Sequence, residues 1–213
     1  MIYDRDIREP LYDYLEMKYG RIRILEEKRT GHSRADMVMI TDSMIFGIEI
    51  KSDADTYARL SRQVEDYDLY YNRNYCVVGS THGNHITEHV PPHWGIITVE
   101  PTEDGSLDFY ELRAPANNPN CDMLHQFSLL WRPEMAHLQE TLALPKYAYL
   151  SKTALCKKIT ERVPADILSP LICDELFERD YTKIAETINQ YRTANGHKPR
   201  RKRKYKKRAS VKI

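Results

Sequence analysis

Apolar positions in the first half of the chain follow helical spacing in two segments and strand spacing in six. Ile7, Leu11 and Leu15 recur every four residues, which predicts one buried face of a helix over residues 6–18. A second helical pattern covers residues 55–72. Short apolar runs bounded by turn residues predict strands at residues 21–28, 35–41, 44–51, 75–78, 95–99 and 107–112. The resulting order, α-β-β-β-α-β and then two strands, predicts an α/β fold with helices packed on the faces of a sheet.

The second half of the chain carries helical patterns and no clear strand pattern. Proline and asparagine are concentrated at residues 114–120, which indicates a linker. Helical segments follow at residues 123–144, 151–162, 165–177 and 182–192. We therefore predict a core domain over residues 1–114, a helical appendage packed on it over residues 121–193, and a disordered basic tail over residues 196–213.

Charge is segregated along the chain. From His197 onward there are ten Lys or Arg residues and no acid; subtracting these from the total of 32 leaves residues 1–196 with 22 bases against 31 acids, a net charge of −9. An acidic body with a basic end is expected to meet a polyanion through that end. The residues predicted to bind nucleic-acid phosphates are Arg200, Arg201, Lys202, Arg203, Lys204, Lys206, Lys207 and Arg208.

Composition and missing motifs argue against several classes of protein. No apolar stretch approaches the roughly 18 residues of a membrane span, and the first residues lack a signal-peptide pattern, so we expect a cytoplasmic protein with no membrane partner. The four cysteines lack zinc-site spacing and are expected to be buried thiols. No Walker loop, G-x-S-x-G or H-E-x-x-H motif occurs.

Charged residues interrupt the apolar sequence where the second and third predicted strands meet. Asp36 begins one strand, and Glu49 and Lys51 end the next, with Ile50 between them. A hairpin that turns at residues 42–43 would bring Asp36 and Glu49 to one end of the sheet, and alternation puts Glu49 and Lys51 on one face. Two carboxylates, with the carbonyl of Ile50, suit a hard divalent cation such as Mg²⁺ or Mn²⁺. A neighbouring ammonium is suited to orienting water or to stabilising charge on a phosphate.

The alternative is an exposed Glu/Lys pair, which is common on strands. The apolar run at residues 44–48 before Glu49 favours a functional site. Gln63 and Tyr67 add to it, because residues four apart share a helix face. With Asp36 and Glu49-Ile50-Lys51, the segment Gln63–Tyr67 resembles the PD-(D/E)XK phosphodiesterase superfamily of restriction-type and RecB-like nucleases, whose core also has the order αβββαβ.

A narrower resemblance covers nearly the whole chain. Arg34-Ala35-Asp36, residues 47–53, Arg62-Gln63 and Leu130-Trp131-Arg132 are similar to a family of small bacterial and phage proteins that is usually assigned to the same superfamily. This resemblance implies a restriction-endonuclease-like core with a mixed sheet, followed by the helical appendage.

The resemblance also implies roles for individual residues. It implies metal ligands at Asp36 and Glu49, a catalytic lysine at Lys51 and a supporting role for Gln63. Tyr67 is a further supporting candidate. The superfamily often adds a glutamate on its first helix; here the matching residue is Glu9, and its rivals on the first strand are Glu26 and Glu27.

Histidines and aromatic residues offer weaker candidates. The spacing of His82, His85, His89 and His93 could align them on a helix face as metal ligands, but a solvated segment is the favoured interpretation. Tyr57 or Tyr70 could stack on an unpaired base, although core packing is the default for the tyrosines of this helix. Trp94 and Trp131 are expected to be core anchors.

Two functional hypotheses follow. The first is a metal-dependent nuclease that hydrolyses phosphodiester bonds, with DNA favoured as substrate and RNA left open. The second is a nucleic-acid-binding or adaptor protein that keeps the nuclease fold without efficient catalysis. The intact Asp, Glu and Lys set favours the enzyme, whereas the acidic body slightly favours the adaptor. A homodimer would suit cutting of both strands of a duplex, but the sequence indicates no interface.

Overall fold

The computed structural model describes residues 3–52, 56–79, 83, 85–180, 186, 189–190 and 193–194. The chain divides after Glu178 into two compact units. In the second unit the described residues 186, 189–190 and 193–194 are helical. The predicted basic tail, with its candidate phosphate-binding residues from Arg200 to Arg208, lies outside the described residues. All the elements given below belong to the first unit.

A six-stranded mixed sheet forms the centre of the first unit. Its strands are β1 (Arg23–Thr30), β2 (Ser33–Ile40), β3 (Ile45–Lys51), β4 (Arg73–Gly79), β5 (Gly95–Pro101) and β6 (Leu107–Arg113). They are neighbours in this same order. β4 runs parallel to both β3 and β5, and the remaining pairs are antiparallel. The predicted mixed α/β class is therefore confirmed.

Helices precede, interrupt and follow the strands. They are α1 (Asp4–Tyr19), α2 (Leu60–Tyr70), α3 (Met123–Ser128), α4 (Arg132–Thr141), α5 (Lys152–Thr160) and α6 (Ala165–Phe177), with 3₁₀ turns at Tyr57–Arg59 and Ile86–Glu88. The order from α1 to β4 is αβββαβ, and the remaining α-helices, α3 to α6, follow the last strand, as predicted. Among the described residues, no helix is long and apolar enough to cross a membrane.

The sheet is covered on both faces. Ile7, Leu11 and Leu15 of α1 pack with the side chains of one face, which explains their four-residue spacing. On the other face, the side chains of α2, of the sheet and of α3–α6 belong to one cluster of buried residues. The domain boundaries given above for residues 1–114 and 121–193 stay predictions.

Helix α2 approaches β3 closely because Gly47 has no side chain. A Cβ atom at Gly47 would lie 2.3 Å from Cδ2 of Tyr71 and 2.8 Å from Cδ2 of Tyr67. Contacts this short do not occur between unstrained carbon atoms. Because Gly47 and Glu49 are two residues apart on one strand face, the same approach brings the first half of α2 over Glu49.

Candidate active site

The site begins where β2 and β3 separate. Their antiparallel pairing runs from Ile40–Ile45 to Met37–Ile48 and stops one position before Asp36 would oppose Glu49. At that point the N–H of Ile50 donates to Oδ2 of Asp36, at 2.9 Å. The Asp36 side chain thus takes the place of a backbone acceptor. The structure brings Asp36 and Glu49 to the same end of the sheet.

Glu49 is the centre of a hydrogen-bonded network between β3 and α2. Its Oε1 accepts from Nζ of Lys51 and from Nε2 of Gln63, both at 2.5 Å. Its Oε2 accepts from the hydroxyl of Tyr67 at 2.5 Å. Lys51 Nζ also donates to Oε1 of Gln63 at 3.0 Å, so the network closes on itself.

Three of the four side chains in this network are buried, and that of Gln63 is partly exposed. Glu49 is 1% exposed and Lys51 is 5% exposed. Both lie at the end of a strand in which every residue is buried. Their charges are therefore stabilised by their own ion pair and by hydrogen bonds to Gln63 and Tyr67 rather than by water. The phenol of Tyr67 stays protonated and donates, because burial and the nearby Glu49 carboxylate raise its pKa well above the usual value.

Asp36 is held in an unfavourable electrostatic environment. Burial and repulsion from Glu49 raise its pKa from 3.8 to about 7, against the opposing effect of the Ile50 N–H. A positive ion between the two carboxylates would remove this repulsion. The pair therefore has the chemistry of a cation site.

The acceptor atoms of the two carboxylates are of the kind that a small hard cation prefers. Asp36 and Glu49 offer only oxygen atoms, the ligands that Mg²⁺ and Mn²⁺ prefer. No group of three or more His, Cys, Asp or Glu side chains is placed to hold a metal within the described part of the chain. Mg²⁺ is commonly bound through one or two carboxylates, with water and substrate phosphate completing its shell. Ile50, the third predicted ligand, lies between Glu49 and Lys51 and contacts Asp36 through its N–H.

Arg8 of α1 also belongs to the site, although no sequence motif points to it. Its Nη1 donates to the backbone carbonyl of Asp36 at 3.2 Å, and its Nη2 lies 3.7 Å from Oδ1 of the same residue. Arg8 also pairs with Asp4 at 2.7 Å and with Glu27 at 2.9 Å. The spacing of Asp4 and Arg8, four residues apart on a helix, was the available signal, but only the packing of α1 on the sheet shows what Arg8 meets.

The outer carboxylates proposed from the sequence have different positions. Glu9 and Glu26 are exposed, and neither makes a hydrogen bond or ion pair with the other site residues that the structure describes. Successive helix residues point about 100° apart, so α1 presents Arg8 rather than Glu9 to Asp36. Glu27 reaches the site through Arg8 and has a positive φ of 53° where β1 passes Asp36.

The remaining candidates that the structure describes make separate contacts, and His82 lies outside the described residues. His89 stacks on Tyr57 with ring centroids 4.3 Å apart, and His93 lies 3.0 Å from Oδ1 of Asp68. Trp94 is fully buried and donates to Asp68 at 2.8 Å, as expected of a core anchor. Trp131 is only partly buried.

The four cysteines form no disulfide bond with one another. All four are free thiols, and Cys121 alone is not fully buried. Cys76 faces Glu49 across the parallel β3–β4 pair. Burial and the Glu49 charge raise the pKa of its thiol. The thiol of Cys76 therefore stays protonated and uncharged, and its role beside Glu49 is packing.

The sequence of the chain matches a known protein family. The sequence profile described as bacteriophage P4 protein cII matches residues 9–198. The chain belongs to this family. The matched range includes Asp36, the Glu49-Ile50-Lys51 tripeptide and Gln63, and it confirms the expected relation to phage proteins. No curated protein matches the chain.

A solved structure also matches, at low similarity. It is described as SfsA of Pyrococcus furiosus in complex with Ca²⁺, and it is 15% identical with a TM-score of 0.34. The match covers 50% of this chain and 60% of SfsA. Membership in the PD-(D/E)XK superfamily stays a prediction.

Proposed function

We propose that this protein is a metal-dependent phosphodiesterase that hydrolyses DNA at the Asp36–Glu49 site. The observation that carries the proposal is the closed network of Glu49, Lys51, Gln63 and Tyr67 beside Asp36. Burying a Lys–Glu pair costs several kcal/mol of desolvation for each ion, and apolar side chains often serve stability as well or better. A buried charged network of this kind is better explained by a catalytic role than by a contribution to the stability of the fold.

Asp36 and Glu49 would hold the cation, Mg²⁺ or Mn²⁺. The bound ion would polarise the phosphate and lower the pKa of a bound water. Two features of the chain support this assignment: the mutual repulsion of the two carboxylates, and the acceptor positions left on Asp36 beyond its bond to the Ile50 N–H.

Lys51 would act on the reacting phosphate. Its Nζ is fixed by Glu49 and Gln63, so it needs no reorganisation when negative charge grows on a phosphate oxygen. Gln63 and Tyr67 would act as positioning residues, because they hold both oxygens of Glu49. DNA is the proposed substrate because the basic end of the chain would draw a polyanion to an otherwise acidic protein.

Cleavage of supercoiled plasmid tests this function. We expect nicking or linearisation with Mn²⁺ or Mg²⁺, none with EDTA, and loss of activity in Asp36→Ala. Asp108→Ala is the matched control, because Asp108 is an exposed aspartate on the edge strand β6. DNA binding without cleavage under all metal conditions would contradict the proposal and favour the adaptor hypothesis.

A further inference from the structure

A cavity lies outside the Asp36 site. It has a volume of about 260 Å³ and opens between the β1–β2 hairpin, the end of α2 and the beginnings of α4 and α5. Lys28, Arg29, Tyr70, Trp131 and Lys152 are among its lining residues. No residue of the Asp36 site lines it.

The Leu130-Trp131-Arg132 segment builds one wall of this cavity. Trp131 is the N-cap residue of α4, and its N–H donates to Oε2 of Glu134 at 2.6 Å. Arg132 donates from Nη2 to the carbonyl of Leu150 at 2.9 Å, which ties down the chain just before α5. The segment therefore fixes Trp131 and the start of α5 relative to each other.

Two aromatic side chains are presented to the cavity. Tyr70 is partly buried and is held by His125, whose ring lies edge-on at 5.1 Å between centroids. Trp131 is also partly buried, in contrast to the fully buried Trp94. Partly buried rings that line a cavity can stack on a planar ligand.

The charged side chains that line the cavity are all basic, although most of the chain is acidic. Its lining includes Lys28, Arg29 and Lys152 and no carboxylate, whereas residues 1–196 carry −9. The N-terminal ends of α4 and α5 are at its rim and add partial positive charge. Nζ of Lys152 donates to the Ser128 carbonyl at 2.7 Å, which holds this ammonium at the rim.

We propose that this cavity binds a single nucleotide, with its phosphate on the three cations and its base against Tyr70 and Trp131. The volume of about 260 Å³ lies just below the roughly 300–1,000 Å³ of ordinary small-molecule sites, so it suits one nucleotide rather than a larger ligand. The nucleotide is either free or one unit of a nucleic-acid strand. The inference does not require the Asp36 site to be catalytic.

Tryptophan fluorescence gives a direct readout of binding. The chain has two tryptophans, and Trp94 is fully buried, so a ligand in the cavity should quench Trp131. The probes are adenosine 5′-monophosphate, inorganic phosphate and a short single-stranded oligodeoxythymidylate, titrated into the full chain. We expect saturable quenching by the mononucleotide, and no quenching in Trp131→Phe.

Charge variants test whether the cations bind the phosphate. Arg29→Ala and Lys152→Ala should each weaken binding about tenfold, the effect of losing one charge-assisted hydrogen bond. Lys158→Ala is the control, because Lys158 is an exposed cation on the same helix outside the cavity. Since Lys152 also contacts Ser128, melting curves accompany each titration, and the exposed Arg29 provides the variant that does not disturb packing.

The three probes distinguish a free nucleotide from a unit of a nucleic-acid strand, and both from simple anion binding. Quenching by the mononucleotide alone supports a free nucleotide, and quenching by the oligonucleotide supports a strand. Equal affinity for inorganic phosphate and the mononucleotide would overturn the proposal, because it would show anion binding without recognition of the base. Quenching unchanged by Arg29→Ala and Lys152→Ala, or absent with every probe, would also overturn it. Asp36→Ala should retain this binding even where it loses cleavage.

Discussion

At the scale of single residues, Asp36 links the stability of the protein to pH. Its pKa is raised in the folded state from 3.8 to about 7, so the folded chain holds this proton more tightly than the unfolded chain does. The ionised carboxylate therefore destabilises the fold. The loss of stability develops as the pH rises from about 4 and is complete above about 7.

Asp36→Asn should remove this destabilisation. The amide oxygen can still accept from the Ile50 N–H, while the repulsion with Glu49 disappears. We expect a gain of about 1–4 kcal/mol in the free energy of unfolding at pH 8 in EDTA, with a smaller gain at pH 5. Urea unfolding at the two pH values measures this. An equal effect at both would show that Asp36 is not the titrating group.

Lys51 is expected to act in the chemical step. Lys51→Gln keeps a donor for Glu49 but removes the charge, so cleavage should fall by about 100- to 1,000-fold. Affinity for Mn²⁺ should be retained, because the two carboxylates are unchanged. The measurement is plasmid cleavage at saturating metal, with calorimetry of metal binding as the control. A variant that cuts at the wild-type rate would leave Lys51 with a purely structural role.

Most of the candidate site could be placed from local rules. Strand alternation puts Glu49 and Lys51 on one face, and helical spacing puts Gln63 and Tyr67 together, so short-range geometry determines these placements. Arg8 could not be placed in this way. Its contact with Asp36 spans 28 residues and depends on how α1 crosses the end of the sheet.

At the scale of secondary-structure elements, the distance between α2 and β3 controls the site. Gly47→Ala would force a methyl group against Tyr67 and Tyr71. Overpacking of this kind typically costs about 1–3 kcal/mol. We expect a loss of this size in urea unfolding, with weaker Mn²⁺ binding because Gln63 and Tyr67 shift away from Glu49.

A double-variant cycle provides the control for this prediction. In a Tyr71→Ala background the shortest contact of the methyl group, at 2.3 Å, is removed, while Asn74 Oδ1 at 2.6 Å and Tyr67 Cδ2 at 2.8 Å remain, so the cost of Gly47→Ala should fall without disappearing. An undiminished cost in that background would mean that the effect does not come from the α2–β3 contact.

The type of each secondary-structure element could be predicted where the apolar spacing was regular. The residues at which the elements begin and end were harder to predict. Six strands were expected and the described residues form six, but the helix predicted over residues 123–144 is two helices, α3 and α4. Pro133 lies in the first turn of α4, where its missing N–H costs nothing, so it marks a start rather than an interruption. Apolar spacing alone did not show the break at residues 129–131, because Leu129 and Leu130 are buried outside any helix.

At the scale of the whole molecule, the segregation of charge predicts that the basic residues after Gly196 provide most of the affinity for nucleic acid. A chain that ends at Gly196 has a charge of −9 and should bind DNA weakly. If roughly six of the ten terminal cations contact phosphates, the full chain should show a slope near −5 in log affinity against log salt, from about 0.9 for each phosphate. Fluorescence anisotropy of both chains over a salt series measures the difference. Equal affinities and slopes would assign DNA binding to other residues.

Titration calorimetry with Mn²⁺ tests most directly whether Asp36 and Glu49 form a cation site. We expect saturable binding to the wild-type chain, loss of binding in Asp36→Ala and in Glu49→Ala, and wild-type affinity in Asp108→Ala. Binding that persists unchanged in both site variants, or no binding to the wild-type chain, would contradict the assignment of this carboxylate pair as the metal centre.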